Sequence, residues 1–220
     1  MRWVPTVTRS IDSSGALQVA VGHPLVDEYL EFLAARARPN TRLAVAFDLK
    51  VFFSVVDKTP VRVTSADVMA FIRSQRAGGN VVRLDGSAGL SARTIRRRLS
   101  SVSGFYAYLL ARGATSVVRN PVPQGLTTRR ERERPRQRPL VRAVTTLPRV
   151  LIPAEVNALV GALRTERDRA MVDAMVLGGL RRCEVLGLRL EDVRLGERRL
   201  FIAEGKGGRQ RLIPIAGRFF

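Results

Sequence analysis

The sequence predicts a mainly α protein in two folded parts, a front bundle of four helices and a smaller mixed α+β unit with a β-hairpin. Three observations lead there. Apolar residues recur at steps of three and four through four segments between Leu25 and Leu109. Residues 127–149 are rich in arginine and proline and have little helical period. Beyond them, short helical patterns give way to two strand-like runs around Gly205-Lys206-Gly207-Gly208. The 220 residues, 45% hydrophobic, are enough to build cores in both parts.

Residues 1–21 mix Thr, Ser and Gly and are expected as a flexible N-terminal arm. A domain over 22–126 follows. Its first helix starts near Leu25, with Leu25, Tyr29, Phe32 and Leu33 on one face, and breaks at Pro39. Asn40 or Thr41 is expected to cap the second helix, whose stripe is Leu43, Ala46, Phe47, Val51 and Phe53. Thr64 or Ser65 caps a third, with Val68, Phe71 and Ile72 as its apolar side. The fourth runs from about Ser91 to Arg112, and Ile95, Leu99, Val102, Tyr106 and Leu109 form its core stripe. Gly104 lies inside that helix, where glycine costs about 1 kcal/mol relative to alanine, so a packing or contact reason is expected for it.

Residues 127–150 read as a basic linker that includes Arg129 and Arg130; eight arginines face two glutamates between Thr127 and Arg149. A second domain spans 151–220. Pro153 suits the first turn of a helix through Leu163, and another helix runs from about Glu166 to Leu177 with Ala170, Met171, Ala174 and Met175 inward. Gly178-Gly179 interrupts it, and a helix over about Arg181–Leu188 follows. Arg199–Ala203 and Gln210–Ile215 read as the two strands, with Pro214 confining the second to an edge or a strand end. Phe219 and Phe220 have no following element to cover them, which predicts a domain continuing past them.

Charge selects the partner class. Lys+Arg total 38 against 19 Asp+Glu, a formal charge of +19, and only Lys50, Lys58 and Lys206 are lysines. Such a chain gains from a polyanion through counterion release. No apolar run approaches the roughly 20 residues that cross a bilayer, and the N-terminus has no apolar signal core. With Cys183 as the single cysteine, the expectation is a cytoplasmic protein with no membrane partner. Aromatic residues are 6% of the chain and no aromatic-rich strand is present, which disfavours stacking on single-stranded RNA.

Two constellations carry candidate chemistry. On the fourth helix Arg93, Arg96, Arg97, Arg98 and Ser101, with Ser100 and Gly104 interleaved, offer arginines among small residues, suited to close approach to phosphates; the bland alternative is a solvated basic face. In GGLRRCEVLGLRLEDV, Arg181 and Glu184 stand one helical turn apart, so the carboxylate can orient a guanidinium toward a phosphodiester oxygen, although most such surface pairs are weak salt bridges. Lys206 sits among the glycines of EGKGGRQRLIPI, the only lysine after Lys58. Its ammonium can release a proton, which a guanidinium effectively cannot, though a lone lysine can also arise by chance.

Together these segments resemble the tyrosine recombinase (phage integrase) family, in particular its Xer-like integrase/recombinase branch. RPNTRLAVAFDLKVFF and LSARTIRRRLSSVSGFYAYLLARG followed by NPV resemble the family's core-binding (SAM-like) domain. GLRRCEVLGLRLEDV resembles the motif around the first catalytic arginine, and GKGGRQRLIPI the hairpin with the catalytic lysine. The resemblance implies a site-specific recombinase whose two domains clamp double-stranded DNA from opposite sides. Arg181 would neutralise the scissile phosphate and Glu184 would buttress it. Lys206 would protonate the leaving 5′ oxygen as a tyrosine forms a 3′-phosphotyrosyl link. It implies no metal and no small-molecule cofactor, and other recombinase protomers as partners.

The family's His-x-x-Arg pair, a further His or Trp and the nucleophilic Tyr have no counterpart in this sequence. The single histidine is His23, and Tyr29, Tyr106 and Tyr108 are all in the front domain, where core or boundary packing is expected of them. Cys183 is expected as a small packed residue. The chain is therefore expected to stop short of the nucleophile and not to cut DNA alone. The alternative is a non-catalytic DNA-binding protein or regulator derived from a recombinase.

Overall fold

The computed structural model describes residues 3–77, 88–113, 116–123, 140–143, 147–205 and 207–219. The chain divides into two compact units, Met1–Thr145 and Thr146–Phe220. Among the described residues no helix is long and apolar enough to cross a membrane.

Among the described residues the front unit holds four α-helices, α1 (Pro24–Ala34), α2 (Pro39–Val56), α3 (Ser65–Ala77) and α4 (Ala92–Arg112). α4 follows its sequence pattern. Ile95, Leu99, Val102, Tyr106 and Leu109 are all buried, joined by Phe105. The Ser91 hydroxyl caps the helix by accepting the Thr94 N–H at 3.2 Å, and Gly113 ends it with φ of 66°. α3 is held at its start by Thr64 and Asp67, whose side chains bond at 2.8 Å, and Lys58 closes on Asp67 at 2.7 Å. Phe52, Phe53, Phe71 and Phe105 form the centre of the core; Phe52 and Phe71 have ring centroids 5.0 Å apart and Phe53 and Phe105 6.0 Å apart. Tyr29 and Tyr106 belong to this core and Tyr108 packs against it; the Tyr106 hydroxyl donates to the Pro60 carbonyl at 2.8 Å.

Two helices differ from the sequence reading. Pro39 begins α2 rather than ending the helix before it, because a proline at the first helical position lacks only an N–H that has no acceptor there. Asn40 and Thr41 are inside the helix and cap nothing. The inward face of α2 is Ala46, Leu49, Phe52 and Phe53, while Phe47 is exposed. α2 contacts α1, α3 and α4, so its packed face is set by three neighbours and not by one apolar stripe. α1 likewise turns Val26, Tyr29 and Leu30 inward and leaves Phe32 exposed.

The expected arm is ordered over part of its length. β1 (Thr8–Ile11) and β2 (Leu17–Ala20) pair antiparallel, Thr8 opposite Ala20 and Ile11 opposite Leu17. The Asp12 carboxylate accepts the N–H groups of Ser14 and Ala16, both at 2.9 Å, and Gly15 takes φ of 79° to complete the turn. β2 packs on α1 and α2, and the Trp3 indole donates to the Val21 carbonyl beside Phe53. Every β1 residue is exposed, so this strand has no apolar alternation for a sequence reading to find. Of the expected linker, Arg129 and Arg130 lie outside the described residues, while Val141 is buried in the front core.

The second unit comprises α5 (Pro153–Gly161), α6 (Glu166–Gly178), α7 (Arg182–Leu186) and a three-stranded antiparallel sheet. The strands are β3 (Val193–Arg194), β4 (Arg199–Ile202) and β5 (Arg211–Pro214), with β4 central and Pro214 on an edge strand. Ala174, Leu180, Val185, Leu200, Ile202 and Ile215 form its core. Phe219, read from sequence as uncovered, packs against this cluster. Met175 is exposed although the stripe placed it inward.

Candidate functional site

The second unit builds a cluster of three charged side chains around the start of α7. Gly179 ends α6 in the left-handed region, φ 62°, and turns the chain so that Leu180 drops into the core. Arg181, the next residue, is the N-cap of α7 and not part of its first turn. Glu184 reaches back from the first turn of α7 and accepts the Arg181 backbone N–H through Oε2 at 2.9 Å. Its Oε1 accepts the Arg181 Nη1 at 3.0 Å.

A third residue completes the cluster. Arg211, on β5, places Nη1 on Glu184 Oε1 at 2.9 Å and Nη2 on Oε2 at 2.8 Å, a two-pronged grip. The Glu184 carboxylate is fully buried, while the Arg181 side chain is 54% exposed and that of Arg211 34%. The Arg211 hydrogen bonds do most to hold Glu184 down at about 2, against an ordinary 4.5; burial opposes them and the Arg181 bonds add to them. Glu184 in turn pushes Arg211 up. Chemically, the cluster is a fixed carboxylate presenting one guanidinium to solvent.

Arg211 was not among the sequence candidates, although a signal was available. It lies two residues before Ile213 on β5, on the side of the strand that packs against the core. A charged residue on an inward strand face requires a buried partner. Lys206 lies outside the described residues. Cys183, expected to be packed, is exposed, because the buried side of α7 is taken by Glu184 and Val185.

On α4 the expected basic face divides in two. Arg93 and Arg96 are exposed, and neither has an ion pair among the described residues. The other members turn toward Asp48 of α2, whose side chain is only 2% exposed. Asp48 Oδ2 accepts Arg97 Nη1 at 2.6 Å and the Ser101 hydroxyl at 2.8 Å. Arg98 lies 3.9 Å from Asp48 Oδ1, is 18% exposed and donates to Gln75 of α3. Burial pushes the Arg98 guanidinium down, Asp48 opposes this and Arg97 adds to it. Arg97 remains 53% exposed beside Asp48. Gly104 has a packing reason: a Cβ there would stand 2.9 Å from the Tyr29 hydroxyl of α1.

Comparison with known proteins agrees with both parts of the chain. Residues 26–113 match the phage integrase N-terminal SAM-like domain, and residues 149–219 match the phage integrase family. Tyrosine recombinase XerD of Pseudomonas aeruginosa is 31% identical over 202 residues, covering 88% of this chain and 59% of the relative. Tyrosine recombinase XerC of Chromobacterium violaceum is 29% identical over 192 residues, covering 86% and 57%. The chain thus spans less than two thirds of the length of these relatives.

Among solved structures, a lambda integrase dimer bound to a COC' core site shares the fold with a TM-score of 0.59 at 17% identity, covering 88% of this chain and 62% of that one. The Tn1549 transposon integrase in complex with circular intermediate DNA does so with a TM-score of 0.53 at 18% identity, covering 89% and 61%. With the helical front domain and the Arg181 segment matched in order and Xer recombinases aligned across both, the chain belongs to the phage integrase family of tyrosine recombinases.

Proposed function

We propose that this chain holds duplex DNA for a site-specific recombinase or integrase, with Arg181 as a ligand of the scissile phosphate. The observation that carries the proposal is the half-exposed Arg181 guanidinium fixed on the buried Glu184 carboxylate. A preorganised arginine stabilises the negative charge that accumulates as a phosphodiester is attacked, and it does so without rearrangement. Glu184 is then a positioning residue. Lys206 is the proposed proton donor to the leaving 5′ oxygen, and the nucleophile is the tyrosine of the complete recombinase. This chemistry draws on no metal and no small-molecule cofactor.

Arg93 and Arg96 are proposed as direct phosphate contacts, and Arg97 as a contact oriented by Asp48. Ser101 and Arg98 brace Asp48 from within the unit. Arg129 and Arg130 are proposed to lie along the backbone of the same duplex. Other protomers of the recombinase are the proposed protein partners, and the cytoplasm is the proposed compartment. A titration of the chain with labelled duplex DNA tests this reading. Affinity is expected to fall at least about a hundredfold between about 50 and about 200 mM salt, as four or more phosphate contacts require. An affinity that does not change with salt would contradict it.

A further inference from the structure

Arg181 and Glu184 by themselves would be a neutral pair, and a neutral pair has little attraction for a phosphate. Arg211 changes that balance, because two guanidinium groups on one carboxylate leave the cluster with an excess positive charge. The distribution of hydrogen bonds is unequal. Arg211 commits both terminal nitrogens to Glu184, whereas Arg181 commits Nη1 alone from its side chain. A guanidinium has five N–H donors, so Arg181 keeps most of its own.

The turn before β5 covers Arg211. Gly205 is buried, and a Cβ there would stand 2.7 Å from Arg211 Nη1 and 2.5 Å from the Arg209 carbonyl. Its N–H donates to that carbonyl at 3.0 Å. Arg211 is therefore the inner guanidinium of the cluster, roofed by backbone, and Arg181 is the outer one.

We infer that Arg211 is a positioning residue for phosphate binding: by taking the Glu184 carboxylate with both prongs, it cancels that charge and leaves the outer donors of Arg181 for a phosphodiester oxygen. The inference rests on the proposed role of Arg181 and adds a residue that acts only through it. Without Arg211, Glu184 would draw the Arg181 guanidinium onto itself with both prongs and neutralise it.

Duplex binding by the 220-residue chain tests this, with affinities compared at one low salt concentration, salt slopes taken from a titration series, and folding of each variant followed by amide exchange in β4 and β5. Arg181→Gln is expected to weaken binding about tenfold and lower the log–log salt slope by about one. Arg211→Gln is expected to cause the same loss, and Arg181→Gln with Arg211→Gln no further loss. Glu184→Gln with Arg211→Gln is expected to recover most of the affinity, since the charge that captures Arg181 is gone. A purely structural role for Arg211 would not give that recovery.

The inference is overturned if Arg211→Gln binds like the parent, if the two single losses multiply in the double variant, or if Glu184→Gln fails to rescue Arg211→Gln. Should Arg211→Gln unfold the unit, Glu184→Gln is compared with Glu184→Gln/Arg211→Gln. Affinities within about threefold are expected, and a tenfold gap would overturn the inference. A different result, parental affinity in Arg181→Gln, would remove the role of Arg181 itself and with it the reading beneath this inference.

Discussion

Glu184→Ala is expected to destabilise the second unit by about 3–5 kcal/mol, the cost of removing one partner from a buried ion pair and leaving the other uncompensated. The loss falls on Arg211 first, because both of its terminal nitrogens end on that carboxylate. Arg181 loses its side-chain bond and the acceptor of its N–H, so the entry to α7 loosens as well. Amide exchange in β4 and β5 should accelerate by two orders of magnitude or more, since each 1.4 kcal/mol is about tenfold. Trp3, the only tryptophan, packs in the front unit and should report an unchanged environment. Acid should reproduce the effect in the parent protein. The folded-state value of Glu184 is depressed, so its contribution is complete above about 4.5 and is lost as pH falls toward about 2.

Asp48→Ala is the matching experiment in the front unit. Asp48 is nearly inaccessible and accepts from Arg97 and Ser101, with Arg98 beside its second oxygen. Its removal leaves two adjacent cations, one of them mostly buried, without a counter-charge. A cost of about 3 kcal/mol is expected, toward the low end for buried pairs because Arg97 is half-exposed and can turn to water. The midpoint of urea unfolding followed by Trp3 fluorescence should shift down accordingly, and an unchanged midpoint would show that Asp48 is not the brace of α2 against α4. Duplex affinity should also fall, because Arg97 loses its orientation.

These two anions divide what was legible in the sequence from what was not. The helical stripe of α4 could be read directly, since period and burial agree at Ile95, Leu99, Val102, Tyr106 and Leu109. Arg181 and Glu184 are three residues apart, so their pairing was readable as well. Asp48 with Arg97, and Glu184 with Arg211, are 49 and 27 residues apart, and local periodicity carries no information about such partners. Charged residues on inward faces were the available sign, Asp48 one residue before Leu49 and Arg211 two before Ile213. The start of α2 is ambiguous in the sequence for another reason: proline is both a helix breaker and a favoured first helical residue, and only the structure decides between them. β1 could not be read, because a strand exposed at every position owes its order to the turn at Asp12 and to its pairing with β2.

Arginines in both units are proposed to hold duplex DNA through its phosphates; Arg96 is exposed on α4 and Arg181 at the start of α7. The most direct test is the log–log salt dependence of duplex binding by Arg96→Ala, Arg181→Gln and the double variant, measured beside the parent chain. Slopes reduced by about one in each single variant and by about two in the double are expected. Slopes that match the parent in all three variants would contradict phosphate contact by these arginines.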